Sequence, residues 1–410
     1  MIQRRTFIKT LSRVAGATIL GSCLDPGAPF RGAPGDGADP TPLKVNQDLN
    51  GVCDPTSSTV LGDLVVSTHP WPRGLDAAAL IDVDDLCPVA LADDGLDFGG
   101  DLSGNGILRG FLVDQLAAAY PEAKVCLMTI ADMRQNPLTR TPVAEDDRYL
   151  LSRQPEWAAA VSELLKANAN FRLAMHGYWH FNYLERTATE FKQYSDLQAR
   201  AVMRQMHGEF LSVFPMVEPV FRAPGWAMTP GTLRYVADAG LLLADCSSAS
   251  TFNGSTPSCA AAGSDRRVVR AGPDFNEWIT QTAQNAGLVV GHFHFTAPNP
   301  NNLGTDYGRR TALGFAKAIR DMQTYRIGWL SYHEAARAVA LARSVSFSAA
   351  LAGNTLAITV GPAPPSLDEV TLAVWNLAGR DVAVQTSVGD ALPFHVSSSS
   401  RGCNYIILAA

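Results

Sequence analysis

Between residues 59 and 342 the apolar positions fall into short runs that alternate with longer amphipathic stretches. Runs at 64–67, 78–82, 123–130, 171–175, 241–244, 288–295 and 327–331 have the length of buried strands. Between them, 111–120, 157–167, 196–214, 229–239 and 312–325 space their apolar residues as helices do, and a further helix carries Glu334. A Gly-rich loop covers 95–106. Strands alternating with helices predict a parallel sheet wrapped by helices, open or closed into a barrel. Past Arg343 the texture changes. Strand-like runs at 344–349, 355–360, 370–375, 382–386 and 404–408 are separated by Gly, Pro, Asn and Asp turns, which predicts a small all-β unit over 343–410.

The N-terminal end follows neither pattern. Gln3-Arg4-Arg5-Thr6-Phe7 precedes a modest apolar run and then Leu20-Gly21-Ser22-Cys23. Paired arginines, a weakly apolar core and small residues come in the order of a twin-arginine export signal over 1–22, with a lipobox whose Cys23 would be acylated. Residues 23–58 open on a stretch rich in Gly, Pro, Ala and Asp with almost nothing to bury, which reads as a flexible tether. The expected location is outside the cytoplasm, periplasmic or at the cell surface, with membrane contact only through a lipid on Cys23.

Composition adds exclusions. The chain of 410 residues is 47% hydrophobic and 18% charged, enough for a packed core and too apolar for wholesale disorder. Its 33 basic and 39 acidic residues give a net charge of −6, and no Lys/Arg run follows the leader. That argues against nucleic acid or an anionic membrane surface as the main partner. No CxxC pattern suggests structural zinc. In an exported chain Cys246 and Cys259, flanking a short polar loop, are the best-placed disulfide pair, whereas Cys126 in an apolar strand reads as a buried thiol.

Four local patterns could carry chemistry. Asp82-Val83-Asp84-Asp85 closes an apolar run, and adjacent carboxylates repel unless a cation or a shared proton holds them together. His176-Gly177-Tyr178-Trp179-His180 follows a strand, and an i, i+4 pair on a helix or tight turn can converge on one ion. Gly177 stands where a zincin would place its glutamate base. Arg222-Ala223-Pro224-Gly225-Trp226 sets a cation and an aromatic in a rigid turn. His292-Phe293-His294 puts two histidines on one strand face by period-two alternation. Read singly, the first three patterns are also consistent with an ordinary acidic turn, polar strand end or loop, whereas two histidines on one face at a strand end more often line a cleft.

Taken in order, the four patterns resemble the polysaccharide deacetylase family, carbohydrate esterase family 4, over roughly 64–342. The resemblance implies a distorted (β/α) barrel of that type, here followed by the small C-terminal all-β domain. It implies one divalent ion, zinc first with cobalt or nickel as alternatives, held by Asp85, His176 and His180. It makes Asp84 the general base, Arg222 its restraint, and His294 or His292 the general acid. Asp245 could orient that histidine or be an ordinary strand-end carboxylate. The implied substrate is an acetylated polysaccharide, with Tyr178, Trp179 and Trp226 as residues on which sugar rings could stack. Departures from the family pattern are visible: Asp82-Val83 precedes the Asp pair, the gap from Asp85 to His176 is long, and no Ser or Thr follows His176. A glycan-binding protein without turnover and an amidase on non-sugar amides remain alternatives.

Overall fold

The computed structural model describes residues 58–88, 90–91, 96–97, 107–133, 149–180, 190–192, 194–244, 275–284, 286–293, 305–361 and 370–408. The leader, the tether with Cys23, the 246–259 loop, Asp245 and His294 lie outside the described residues. In chain order the strands are β1 (Ser58–Leu61), β2 (Leu64–His69), β3 (Ala77–Leu86), β4 (Ala90–Leu91), β5 (Leu96–Asp97), β6 (Val125–Thr129), β7 (Phe171–Met175), β8 (Val220–Phe221) and β9 (Leu242–Leu243). They continue with β10 (Leu288–Phe293), β11 (Ile327–Trp329), β12 (Phe347–Ala352), β13 (Thr355–Val360), β14 (Thr371–Trp375), β15 (Asp381–Thr386), β16 (Phe394–Ser398) and β17 (Cys403–Leu408). The α-helices are α1 (Pro155–Ala167), α2 (Asp196–Val213), α3 (Pro230–Asp238), α4 (Phe275–Gln284), α5 (Thr305–Asp321) and α6 (Tyr332–Ser344), and Ile107–Ala117 is wound as a π-helix. No helix of the described residues is long and apolar enough to cross a membrane.

A curled parallel sheet runs in the order β10-β3-β6-β7-β8-β9, with β11 also paired to β3. Ala78 and Ala79 are flanked by β10 and β11, while Ile81, Asp82 and Val83 are flanked by β10 and β6. The sheet curls into a half-barrel, consistent with the distorted (β/α) barrel expected; among the described residues β9 and β10 do not pair. Its two faces are sorted by residue parity. Ala77, Ala79, Ile81 and Val83 join Phe111, Val161, Phe210 and Phe315 under the helices. Ala78, Leu80, Cys126, Met128, Ala174, Val220, Leu242, Leu288 and Val290 fill the concave side. Both faces are covered, so the strands read as near-continuous apolar runs.

Three helix starts follow from local chemistry. Ser195 with Gln198, Thr229 with Thr232 and Ser331 with Glu334 each form a capping box that satisfies backbone N–H groups the helix leaves open. The last of these places Tyr332 at the beginning of α6.

The strand at 64–67, expected in the parallel sheet, belongs elsewhere. β2 pairs antiparallel with β14, giving a five-stranded sheet β1-β2-β14-β17-β16. The hairpin β12–β13 with β15 forms a second, three-stranded sheet. Leu64, Val66, Leu356, Ile358, Leu372, Val374, Ile406 and Leu408 share one apolar cluster between the two sheets. The small β unit is therefore completed by residues that precede the parallel sheet in the chain. It meets the half-barrel through buried polar contacts: Asp76 accepts from Tyr405 Oη (2.9 Å), the Arg326 N–H (2.8 Å) and the Ser399 hydroxyl. Trp71 Nε1 donates across to the Ala286 carbonyl at 2.7 Å. These are bracing contacts.

Away from the strands' C-terminal ends, Glu218 precedes β8 and pairs with Arg172 at 3.3 Å while only 8% exposed. Burial pushes its carboxyl from an ordinary 4.5 up to about 7, against the pull of Arg172 and a hydrogen bond from Ser331. A carboxyl raised in the folded state contributes its full stability below pH 4.5 and loses it as pH rises through 7. Stability should fall over that window by about 2–3 kcal/mol from this group. Denaturant titrations of Glu218→Gln at about pH 5 and about pH 8 should show a flatter dependence than wild type, and an unchanged slope would refute the assignment.

Candidate metal and proton-transfer site

The concave side of the half-barrel is apolar along its length and polar at the C-terminal ends of its strands, because the inward-facing series changes character there. On β3 the series Ala78, Leu80 continues into Asp82 and Asp84. Ala174 is followed by His176, Val220 by Arg222, and Val290 by His292. Period-two alternation thus aims Asp82, Asp84, His176, Arg222 and His292 at one place. Asp82, Asp84, Asp85, His176, His180, Arg222 and His292 are all buried.

Asp85 would face away from its neighbour in a regular strand. A register shift between Val83 and Leu86 marks a bulge, and Asp85 adopts a left-handed φ of 67°. Such a φ is strained for most residues and tolerated by Asp. The bulge turns a second carboxylate into the site beside Asp84.

His176 and His180 lie in a tight turn. Backbone N–H groups of Ala131 and Asp132 donate to the carbonyls of Gly177 (3.2 Å) and Tyr178 (2.7 Å). On the other side, Glu190 accepts from the N–H groups of Tyr178 (2.9 Å), Trp179 (3.1 Å) and His180 (3.1 Å). The result brings His176 Nε2 to 3.4 Å and His180 Nε2 to 3.0 Å from Asp85 Oδ1. Ligands bound at 2.0–2.2 Å around one ion stand roughly 2.9–3.4 Å apart, so both distances to Asp85 are those of a divalent-cation site, and all three ligand atoms lie within 4.8 Å of one another. The His176 Nδ1 lies 3.1 Å from the Arg222 carbonyl, which accepts its N–H and leaves Nε2 as the donor. Burial opposes protonation of His176, but the carboxylates of Asp84 and Asp85 outweigh it and raise its pKa.

Arg222 is fully buried and its guanidinium N–H groups are all directed at acceptors. Nε donates to the Ala244 carbonyl (3.0 Å), Nη1 to Asp84 Oδ1 (3.1 Å), and Nη2 to Tyr332 Oη (2.7 Å) and Asp82 Oδ2. Tyr332 Oη in turn donates to Asp82 Oδ2 at 2.5 Å. Burial works against ionisation of Asp82, yet Arg222 and then His292 hold its carboxyl far below the usual range. His292 Nδ1 sits 2.7 Å from Asp82 Oδ1 and 2.8 Å from Arg222 Nη1. With a proton it donates to the carboxylate; without one it accepts from the guanidinium. Either state of Nδ1 is satisfied, and Nε2 is left 3.7 Å from Asp84 Oδ2. Asp84 Oδ2 is also 3.5 Å from His176 Nε2, so it stands between the donor trio and His292.

The structure therefore brings Asp84, Asp85, His176, His180, Arg222 and His292 together, and of the two candidate acids only His292 lies among the described residues. Tyr178 and Trp179 differ from expectation. At 4% and 9% exposure they pack edge to face with one another, with Tyr178 Oη accepting from Gln205 (2.9 Å) and Trp179 Nε1 donating to Asp132 (3.1 Å). Burying both polar ends against partners turns the rings into the core, so neither offers a face for a sugar. The backbone of Trp226 closes the turn Pro224–Trp226, and its side chain is outside the described part of the structure. Three residues of the site were not singled out from sequence: Asp82, Glu190 and Tyr332. Asp82 could have been found from the inward-facing parity of β3; nothing local distinguishes Glu190 or Tyr332.

No family model and no curated protein matches the chain. Among solved structures it is similar to a Mycobacterium smegmatis protein provisionally named a polysaccharide deacetylase, at 15% identity over 66% of this chain and 92% of that one, with a TM-score of 0.39. A CE4-family pseudoenzyme of Bacillus anthracis shares 11% over 64% and 65% (TM-score 0.32). The chitin deacetylase of the fungal pathogen Colletotrichum lindemuthianum shares 12% over 63% and 87% (TM-score 0.33). These likenesses are distant, and the chemistry of the site rests on its own geometry.

Proposed function

We propose that the chain is a metal-dependent hydrolase that removes acetyl groups, N-acetyl first, from an extracellular or cell-wall polysaccharide. The observation that carries this reading is the pair of edges, 3.0 and 3.4 Å, by which His180 and His176 meet Asp85, with Asp84 beside them. A divalent ion held by Asp85, His176 and His180 would supply Lewis-acid polarisation of a carbonyl and acidify a water molecule. Asp84, whose Oδ1 accepts from Arg222 Nη1 at 3.1 Å, takes the proton of the attacking water. His292 gives a proton to the departing amine, its imidazole oriented by Asp82 and Arg222; His294 is the alternative donor. Arg222 holds Asp82 and Asp84 at fixed separation without titrating itself. Export by the leader 1–22 and acylation of Cys23 belong to the same proposal, and the mass of the N-terminal peptide of the exported protein tests them.

A second reading follows from Tyr178 and Trp179. With both rings packed inward, Tyr178 and Trp179 add no sugar-stacking surface among the described residues, and an amidase acting on non-sugar amides would need none. Acetate release from the metal-loaded protein should be followed on acetylated chito-oligosaccharides and on acetylated peptides. Release from the sugars supports the deacetylase; release from peptides alone moves the assignment to an amidase. No release from either, with the ion bound, leaves a glycan-binding protein.

A further inference from the structure

The turn that carries His176 and His180 is held from outside by Ala131, Asp132 and Glu190. Gly177 and His180 adopt left-handed φ values of 93° and 63°, so the segment is neither helix nor strand. Its N–H groups at Tyr178, Trp179 and His180 all point to one side, and the acceptor they meet is the fully buried carboxyl group of Glu190, whose pKa burial pushes up to about 8 against the pull of these three N–H groups. Space there is closed: a Cβ on Gly177 would lie 2.6 Å from Glu190 Oε2 and 2.6 Å from Pro224 Cγ. The carboxyl group thus fills the mouth of the turn, between the peptide groups that link the two histidines.

We propose that Glu190 is a positioning residue for ion binding, its two side-chain oxygens holding the 176–180 turn in the one shape that directs both Nε2 atoms at Asp85. The inference rests on reading Asp85, His176 and His180 as the ligand set. An acceptor with two oxygens can satisfy three N–H groups at once, whereas a shortened side chain leaves them to be satisfied by distorting the turn. The distortion displaces the ligands before it unfolds the protein. Outer groups that orient ligands are worth about 10–100-fold in metal affinity, and that is the loss expected for Glu190→Ala. Glu190→Gln keeps one acceptor oxygen but turns an amide donor toward the N–H groups, so its loss should be intermediate.

The test is titration of the metal-free full chain and both variants with Co(II), read by the visible d–d absorption, which reports ligand geometry, beside the thermal unfolding of each metal-free protein. Weakened binding in the order wild type, Gln, Ala, with altered absorption bands in the folded variants, supports the role. Wild-type affinity and spectrum in either folded variant would overturn it, even if stability has dropped, because a merely structural glutamate predicts that result. Should the alanine variant not fold, the glutamine variant decides alone by the same criterion. Absence of Co(II) binding in the wild type would overturn both this role and the ligand assignment, a pattern distinct from wild-type binding that Glu190 does not influence.

Discussion

Replacing Asp85 with asparagine is expected to lower affinity for a divalent ion by at least ~100-fold, with hydrolytic activity lost alongside it. Asparagine is the informative substitution. It matches the size of aspartate and, like it, tolerates the left-handed φ of 67° that the bulge imposes, so the backbone can stay as it is. What disappears is the negative charge on the one oxygen that both His176 and His180 approach. Two imidazoles alone are a poor site for a divalent cation. Metal content after gel filtration in the presence of a weak chelator gives the reading: about one ion in the wild type and none in the variant. Retention of a full equivalent by Asp85→Asn would remove Asp85 from the ligand set. Uptake by the wild type should also weaken as pH falls. A metal ligand must be neutral imidazole, and the neighbouring carboxylates that raise the His176 pKa let protons compete at higher pH than usual.

Arg222→Met should cost about 3–5 kcal/mol of stability, the largest single-substitution loss expected in the molecule. The guanidinium is fully buried, and its N–H groups satisfy Asp82, Asp84, Tyr332 and the Ala244 carbonyl. Methionine fills much of the volume but leaves two buried carboxylates without a cation. One of them would have to take up a proton, most readily Asp82, whose low pKa Arg222 maintains first and His292 second. Arg222→Met/Asp82→Asn should therefore recover part of the loss, and the double-mutant cycle measures the coupling. Catalysis should not recover with stability, since Asp84 and His292 still lack their restraint. A loss below about 1 kcal/mol for Arg222→Met would show that the network is not the buried charge balance it resembles.

Much of the site is legible along the chain because strands translate position into direction. A carboxylate two residues after another, or a histidine two after an apolar neighbour, shares its face, and this alone places Asp84, His176, Arg222 and His292 inward. The same rule points to Asp82, passed over in favour of the adjacent Asp84-Asp85 pair. It fails for Asp85, which enters only through a bulge that no spacing announces. The burial of Tyr178 and Trp179 is not legible in the same way. Aromatics next to a metal motif look like a substrate surface until Asp132 and Gln205 are found holding their polar ends inside.

The sequence by itself determined the alternation of strands and helices, the change to all-β texture after Arg343, and the residue types able to bind an ion and move a proton. These are local properties, fixed by side-chain period and by groups three or four residues apart. Tertiary structure decided what joins across distance. It paired β2 with β14 rather than with the parallel sheet, set Tyr332 against Asp82, and brought Glu190 under the His176–His180 turn. An apolar strand buries equally well in either sheet, and a glutamate in a polar stretch has many acceptable surroundings. Only the complete set of pairings selects one.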